Sequence, residues 1–282
     1  MKFIKNAIKT KLIFFTVILM YFLKAFDYSY ASVQHGPLFS FAFYPVGDGI
    51  MNLPYAGTVA GTAVTMPEQG SALKSAKKYN TSAGYFYDIF QADFSYEFTI
   101  IRNQVFNNSG LGNDIPETEK TAYLLRLGKR FSDPGDSTYH LVYFGIKRIK
   151  SVSEYEDMEI TALGYLVGYE GFYSFGIKYP LEFVSKFNTF IGTYRKEKFS
   201  SDIQFENTKK KNSITAGAEL GIGFQYEPYD IAILFKFSYD FDQLAYRGEL
   251  SGSDINFAYR MQAACFGFEI VYRMPNFKYN KR

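Results

Sequence analysis

Residues 212–226 read NSITAGAELGIGFQY, and residues 231–242 read IAILFKFSYDFD. In the first stretch Ile214, Ala216, Ala218, Leu220, Ile222, Phe224 and Tyr226 share one parity. Ser213, Thr215, Gly217, Glu219, Gly221, Gly223 and Gln225 share the other. A hydrophobic period of two belongs to a β-strand with one apolar and one polar face. In the second stretch Ile231, Ile233, Phe235, Phe237, Tyr239 and Phe241 alternate with Ala232, Leu234, Lys236, Ser238, Asp240 and Asp242. Glu227-Pro228-Tyr229-Asp230 supplies a turn between them. Pairing Tyr226 with Ile231 sets Phe224 opposite Ile233, Ile222 opposite Phe235 and Leu220 opposite Phe237, so two independent alternations agree on one register.

The same period extends outward from this hairpin. A long strand over 84–101 places Phe90, Ala92, Phe94, Tyr96, Phe98 and Ile100 on one face, with Gln91, Asp93, Ser95, Glu97 and Thr99 on the other. Further strands are read over 37–46, 55–66, 120–131, 138–149, 158–169, 173–180 and 257–273, which brings the number to ten. The weaker segments 55–66 and 173–180, and an additional candidate at Phe187–Glu197, widen the range to eight to twelve. Glu68–Lys78 reads as a short polar helix or a loop.

Alternation alone does not say whether the apolar face meets a core or lipid. Three features favour lipid. Many strands run to 12 residues or more, beyond the usual five or six of soluble sheets and enough for a tilted span. The apolar faces are rich in Phe and Tyr, which would overfill a small closed barrel from within. The opposite faces carry Asp93, Glu97, Glu219, Lys236 and Asp240 among Gly and Ser, charges that are costly in lipid and expected of a polar lumen. The expected fold is all-β: a closed antiparallel transmembrane up-and-down barrel of about ten strands.

On these residues the chain resembles the bacterial outer-membrane β-barrel family across 32–282. Its last strand, Cys265-Phe266-Gly267-Phe268-Glu269-Ile270-Val271-Tyr272, is similar to the closing strand of that family, with Cys in the polar position. Glu219 to Tyr226 fits the same loose pattern, and the chain continues through Arg273–Arg282 where the family typically stops at an aromatic residue. The resemblance implies outer-membrane localisation, membrane lipids and the barrel-assembly machinery as partners, and both termini in the periplasm. With ten strands, the turns at 132–137, 170–172 and 227–230 would then be periplasmic, and the polar stretches 102–118, 181–211 and 243–256 would be extracellular. The connection 67–83 is longer than a periplasmic turn should be.

Residues 1–31 read as a secretory signal peptide. Lys2, Lys5, Lys9 and Lys11 precede the uncharged run Leu12 to Leu23, and Ser29-Tyr30-Ala31 ends it. No Cys follows the run to carry a lipid. Of the 31 Lys and Arg, five lie in this segment with one of the 28 Asp and Glu, leaving 26 basic and 27 acidic residues. Such a balance argues against a nucleic-acid partner. The single cysteine, Cys265, excludes an intrachain disulfide framework and a thiolate metal cluster. No cofactor or metal site is read.

The lumen charges are the candidate site. Glu219 lies diagonal to Lys236 across the first hairpin, and Asp93 and Glu97 come near Arg126 and Arg130, with Asp240 on the same inner face. Opposite charges on a narrow inner wall form a hydrogen-bonded plug or, in the alternative, a constriction that selects solutes. The run Lys209-Lys210-Lys211, preceded by Arg195, Lys196 and Lys198, forms a basic loop segment open to polyanion contact. Enzymes of the resembling family place His beside Ser or Asp at the outer rim. Here His35 follows the leader and His140 lies near a turn, so no catalytic residue is assigned. Asp240 and Asp242 read as lumen carboxylates rather than a protease pair, and Cys265 as a small filler. The expected function is a surface-exposed structural or interaction barrel with a plugged lumen. The alternative is a narrow porin-like channel for small solutes, and a barrel enzyme acting on lipid or peptide is third.

Overall fold

The computed structural model describes residues 35–273 apart from 53–54, 60–61, 66–72, 88, 107–111, 115–116, 132–137, 154–157, 176–179, 201–205, 211–212, 227–230 and 251–252. Residues 1–31, read from sequence as a leader, lie outside the described residues, as do Lys211 and the residues after Arg273. Ten long strands form the wall: β1 (His35–Asn52), β4 (Leu73–Tyr87), β5 (Phe90–Phe106), β7 (Thr118–Phe131), β8 (Tyr139–Ser153), β9 (Met158–Ser174), β10 (Leu181–Ser200), β12 (Ile214–Tyr226), β13 (Ile231–Leu250) and β14 (Ser253–Arg273). Each pairs antiparallel with its neighbours in chain order, and β1 pairs with β14, closing the ring. Four short strands attach at one end: β2 (Tyr55–Val59), β3 (Thr62–Thr65), β6 (Gly112–Asp114) and β11 (Glu206–Lys210). The fold is a closed antiparallel ten-strand barrel.

Between β12 and β13 the register runs from Tyr226 opposite Ile231 to Leu220 opposite Phe237, as the two alternations require. The strand count of ten holds, but two members differ from the sequence reading. Residues 55–66 are not a wall strand and instead supply the β2–β3 hairpin. Residues 173–180 are not one either: 170–172 lie inside β9, and the chain re-enters the wall at Leu181. In their place stand β4 and β10, and β10 contains the additional candidate Phe187–Glu197. The stretch 84–101 is the end of β4 and most of β5, broken at 88–89, and the part of Glu68–Lys78 that is described belongs to β4. Residues 73–83 of the connection read over 67–83 therefore belong to the wall, and 67–72 lie outside the described residues. Most of 181–211 and 243–256 also belongs to the wall, because β10, β13 and β14 overshoot the apolar band.

The outer wall is apolar. Leu125 and Leu127 on β7, Phe144 and Ile146 on β8, Phe224 on β12, Phe235 on β13, and Phe268 and Ile270 on β14 are all exposed. From Ile231 to Phe241 the outward side of β13 offers ten residue steps, which at ~3.4 Å each and a tilt of ~40° span about 26 Å along the axis. Tyrosines mark its edges, with Tyr85, Tyr87 and Tyr226 at the terminal end, where β1 begins and β14 finishes, and Tyr79, Tyr123, Tyr165 and Tyr239 at the other. His140 lies at the terminal end on β8, beside the Tyr169 hydroxyl at 2.5 Å.

Small residues let the inner face accept large side chains. A Cβ on Gly168 would fall 2.3 Å from the Tyr143 ring, and one on Gly217 would fall 2.5 Å from the Phe190 ring. At Gly267 a Cβ would meet the Phe43 carbonyl oxygen at 2.0 Å, where β1 bulges between Phe43 and Val46. Pro45 sits in that bulge, where no ladder donor is needed, and Tyr44 beside it is fully buried.

Candidate functional site

The lumen is filled in three tiers. At the terminal end Tyr139, Leu141, Phe172, Val184, Leu234 and Val271 form one apolar cluster. Towards the opposite end Ile101, Ile149, Ile160, Leu244, Tyr246, Tyr259 and Met261 belong to a second. Between them the inward positions of the strands carry charge.

These charges form one unbroken chain of ion pairs. Arg126 donates to Asp93 through Nε at 2.6 Å and to Glu170 through Nη1 at 3.0 Å. Glu170 lies 4.0 Å from Lys186, which donates to Glu269 at 3.1 Å. Lys236 bridges Glu269 at 3.1 Å and Glu219 at 2.9 Å. Lys78 then links Glu219 at 3.9 Å, Glu97 at 2.9 Å and Asp240. Lys120 joins Glu97 at 3.4 Å to Asp242 at 2.8 Å, and Lys147 ends the chain on Asp242 at 3.0 Å. Charges from nine wall strands take part. The tenth, β1, contributes Tyr44, whose ring centroid lies 5.4 Å from the Lys78 ammonium and 6.0 Å from that of Lys236.

Neutral groups saturate much of what the ions leave. Tyr139 donates to Glu170, Tyr143 to Asn188, Tyr194 to Asp242, and the Lys78 and Lys147 ammoniums reach Ser238 and Thr215. Arg130 stacks against Tyr139, 4.1 Å from its ring centroid, and against Phe86 at 4.8 Å. Asp242 is fully buried and Lys236 2% exposed. Burying so many charges is tolerable only because each meets opposite charge in good geometry. A cavity of about 60 Å³, lined by Ser40, Ser82 and Ser95 together with charges of the chain such as Glu170, Glu219 and Lys236, holds room for a few water molecules.

The residues read from the sequence occupy this structure unevenly. Glu219 and Lys236 meet directly, and Asp93 meets Arg126. Glu97 pairs with Lys78 and Lys120, whereas Arg130 lies against aromatic rings. Asp240 and Asp242 are both held by lysines. Lys78, Lys120, Lys147, Glu170, Lys186 and Tyr44 were not singled out by sequence. Extending the inward parity along every strand would have exposed the charges. Cys265 is fully buried and unpaired with any other cysteine.

Lys209 and Lys210 are not loop residues: both lie on β11, in register with Arg247 and Tyr246. At that rim Arg247 donates to Asp254 at 2.6 Å, and this bond, with Lys209 nearby, holds the Asp254 carboxyl below the usual range.

Neither a family model nor a curated protein matches the chain. Among solved structures it is similar to the β domain of the Bordetella autotransporter BrkA, with 12% identity, a TM-score of 0.39, and 86% of this chain and 99% of that one covered. It is also similar to the outer membrane protease OmpT from Escherichia coli (8%, 0.43, 85% and 97%) and to outer membrane protein OprG from Pseudomonas aeruginosa (11%, 0.34, 85% and 97%). Its structural neighbours are bacterial outer-membrane β-barrels. At these identities and scores the likeness is one of architecture and carries nothing about activity.

Proposed function

We propose that this protein is an integral outer-membrane barrel whose lumen is shut, acting at the cell surface as a structural or interaction protein rather than as an open pore. The observation that carries this reading is the ion-pair chain from Asp93 to Lys147, enclosed between two apolar clusters. An ion crossing the lumen would have to break buried pairs and pass apolar layers at both ends. The end where β1 begins and β14 finishes faces the periplasm, and the end where β10, β13 and β14 overshoot the apolar band faces outward. The cavity beside Ser40, Ser82 and Ser95 favours a second reading, a narrow path for water or small solutes. Catalysis is disfavoured because Asp240 and Asp242 are neutralised by lysines and His140 lies at the terminal end, away from them.

Surface exposure is tested with Asp254→Cys, since the native Cys265 is buried and shielded from reagent. A membrane-impermeant maleimide should label this variant on intact cells and leave the wild type unlabelled. Labelling only after the outer membrane is permeabilised would overturn the orientation. Fractionation away from the outer membrane would overturn the location.

A further inference from the structure

Beyond the apolar band, the outer face of β8, β9 and β10 is basic. Arg148 is in register with Leu163 and Lys196, and Lys150 is in register with Thr161 and Lys198. The row before these is Ile146, Tyr165 and Thr193, where Ile146 and Tyr165 are exposed on the apolar wall. Arg148 is therefore one pleat above the band. With strands ~4.8 Å apart, Arg148 and Lys196 stand about 10 Å apart, and successive outward residues on a strand about 7 Å apart. Four cations thus frame a surface of headgroup size.

Lys150 shares Glu159 at 3.4 Å, with both side chains half exposed, whereas Arg148, Lys196 and Lys198 make no ion pair among the described residues. The rim elsewhere is mixed: β1 presents Asp48, β7 presents Glu119, and Arg102 on β5 is bound to Glu117. Lys77 on β4 stands among these, so the rim elsewhere carries both signs and the cluster of four cations lies on one side of the barrel.

We propose that Arg148, Lys150, Lys196 and Lys198 bind the phosphate groups of an anionic lipid in the outer leaflet. The inference rests on the membrane-embedded reading above. Depth selects a lipid over a soluble polyanion, because the Arg148 guanidinium stands where headgroup phosphates meet the end of the acyl region, next to the Tyr165 edge. Arginine suits the lowest position, since its fork can hold a phosphate with two hydrogen bonds while its stem lies along apolar wall.

The test uses the folded full chain in nanodiscs, titrated with diphosphorylated lipid A and with its dephosphorylated form. The readouts are retained lipid by native mass spectrometry and apparent Kd by fluorescence. The wild type should prefer the phosphorylated lipid. The fourfold variant Arg148→Ser, Lys150→Ser, Lys196→Ser, Lys198→Ser should bind it at least tenfold more weakly. Arg148→Lys should bind more weakly than the wild type but more tightly than the fourfold variant, and Lys77→Ser with Arg102→Ser, elsewhere on the rim, should keep all of the binding. Equal binding by the fourfold variant, or of the dephosphorylated lipid, would overturn the proposal. So would equal competition by inorganic phosphate, or tighter binding of heparin than of the lipid. The electrophoretic heat shift of a folded barrel is recorded for every sample, so a wild type that lacks it refutes the membrane reading instead.

Discussion

Replacing Asp242 with Asn removes one negative charge from the most enclosed part of the network while nearly conserving volume. The carboxylate accepts from Lys120 at 2.8 Å, from Lys147 at 3.0 Å and from the Tyr194 hydroxyl. Lys120 would retain Glu97 at 3.4 Å, but Lys147 would keep only Thr215 and the face of Phe190. Stripping a partner from a buried ion costs about 3–5 kcal/mol, or roughly two to four orders of magnitude in the folding equilibrium. The asparagine amide adds to this, since its NH2 would face an ammonium. The assay is urea unfolding from lipid vesicles, followed by intrinsic tyrosine fluorescence and the heat shift. Asp254→Asn is the control, because the Arg247–Asp254 pair at the rim is more than half exposed on both sides and should leave the midpoint unchanged. Equal midpoints for the two variants would refute the reasoning that the lumen network is enclosed and tightly coupled.

Three further outcomes are expected. Phe235→Arg, on the exposed apolar wall, should cost about 2–4 kcal/mol near the midplane by the same unfolding assay. Gly168→Ala should cost about 1–3 kcal/mol by overpacking, because the Tyr143 ring it would strike is held by Asn188 and lies against Arg126, 4.9 Å from its guanidinium. The carboxyl of Asp254, held low by Arg247, should titrate below free Asp in an NMR carbonyl series; its contribution to hairpin order should be complete above about pH 4 and lost as pH falls through the depressed value.

The period of two was legible wherever outward residues are large and apolar, as on β12 and β13. It failed on β4 for a physical reason. There the outward side reads Ser75, Lys77, Tyr79, Thr81, Ala83 while the inward side reads Ala76, Lys78, Asn80, Ser82, so polarity does not alternate. The break at 88–89 contains neither Gly nor Pro, and β5 looked like its continuation. β10 was legible only in part, as the candidate Phe187–Glu197, since Val184, Phe190 and Tyr194 point inward and Ser185, Thr189 and Thr193 outward. Register yields charge pairs between neighbouring strands, such as Asp93 with Arg126. It cannot yield Lys78 with Asp240 or Lys147 with Asp242, whose partners approach across the lumen from strands that do not touch.

The most direct test of a closed lumen is single-channel recording of the purified wild type beside Lys236→Ala in planar bilayers. Lys236 holds Glu219 and Glu269 together at the centre of the chain, and its removal leaves excess negative charge there. The wild type should show little conductance, and the variant a larger, cation-selective one. Stable, large steps from the unmodified protein would contradict the closed barrel and make it a porin.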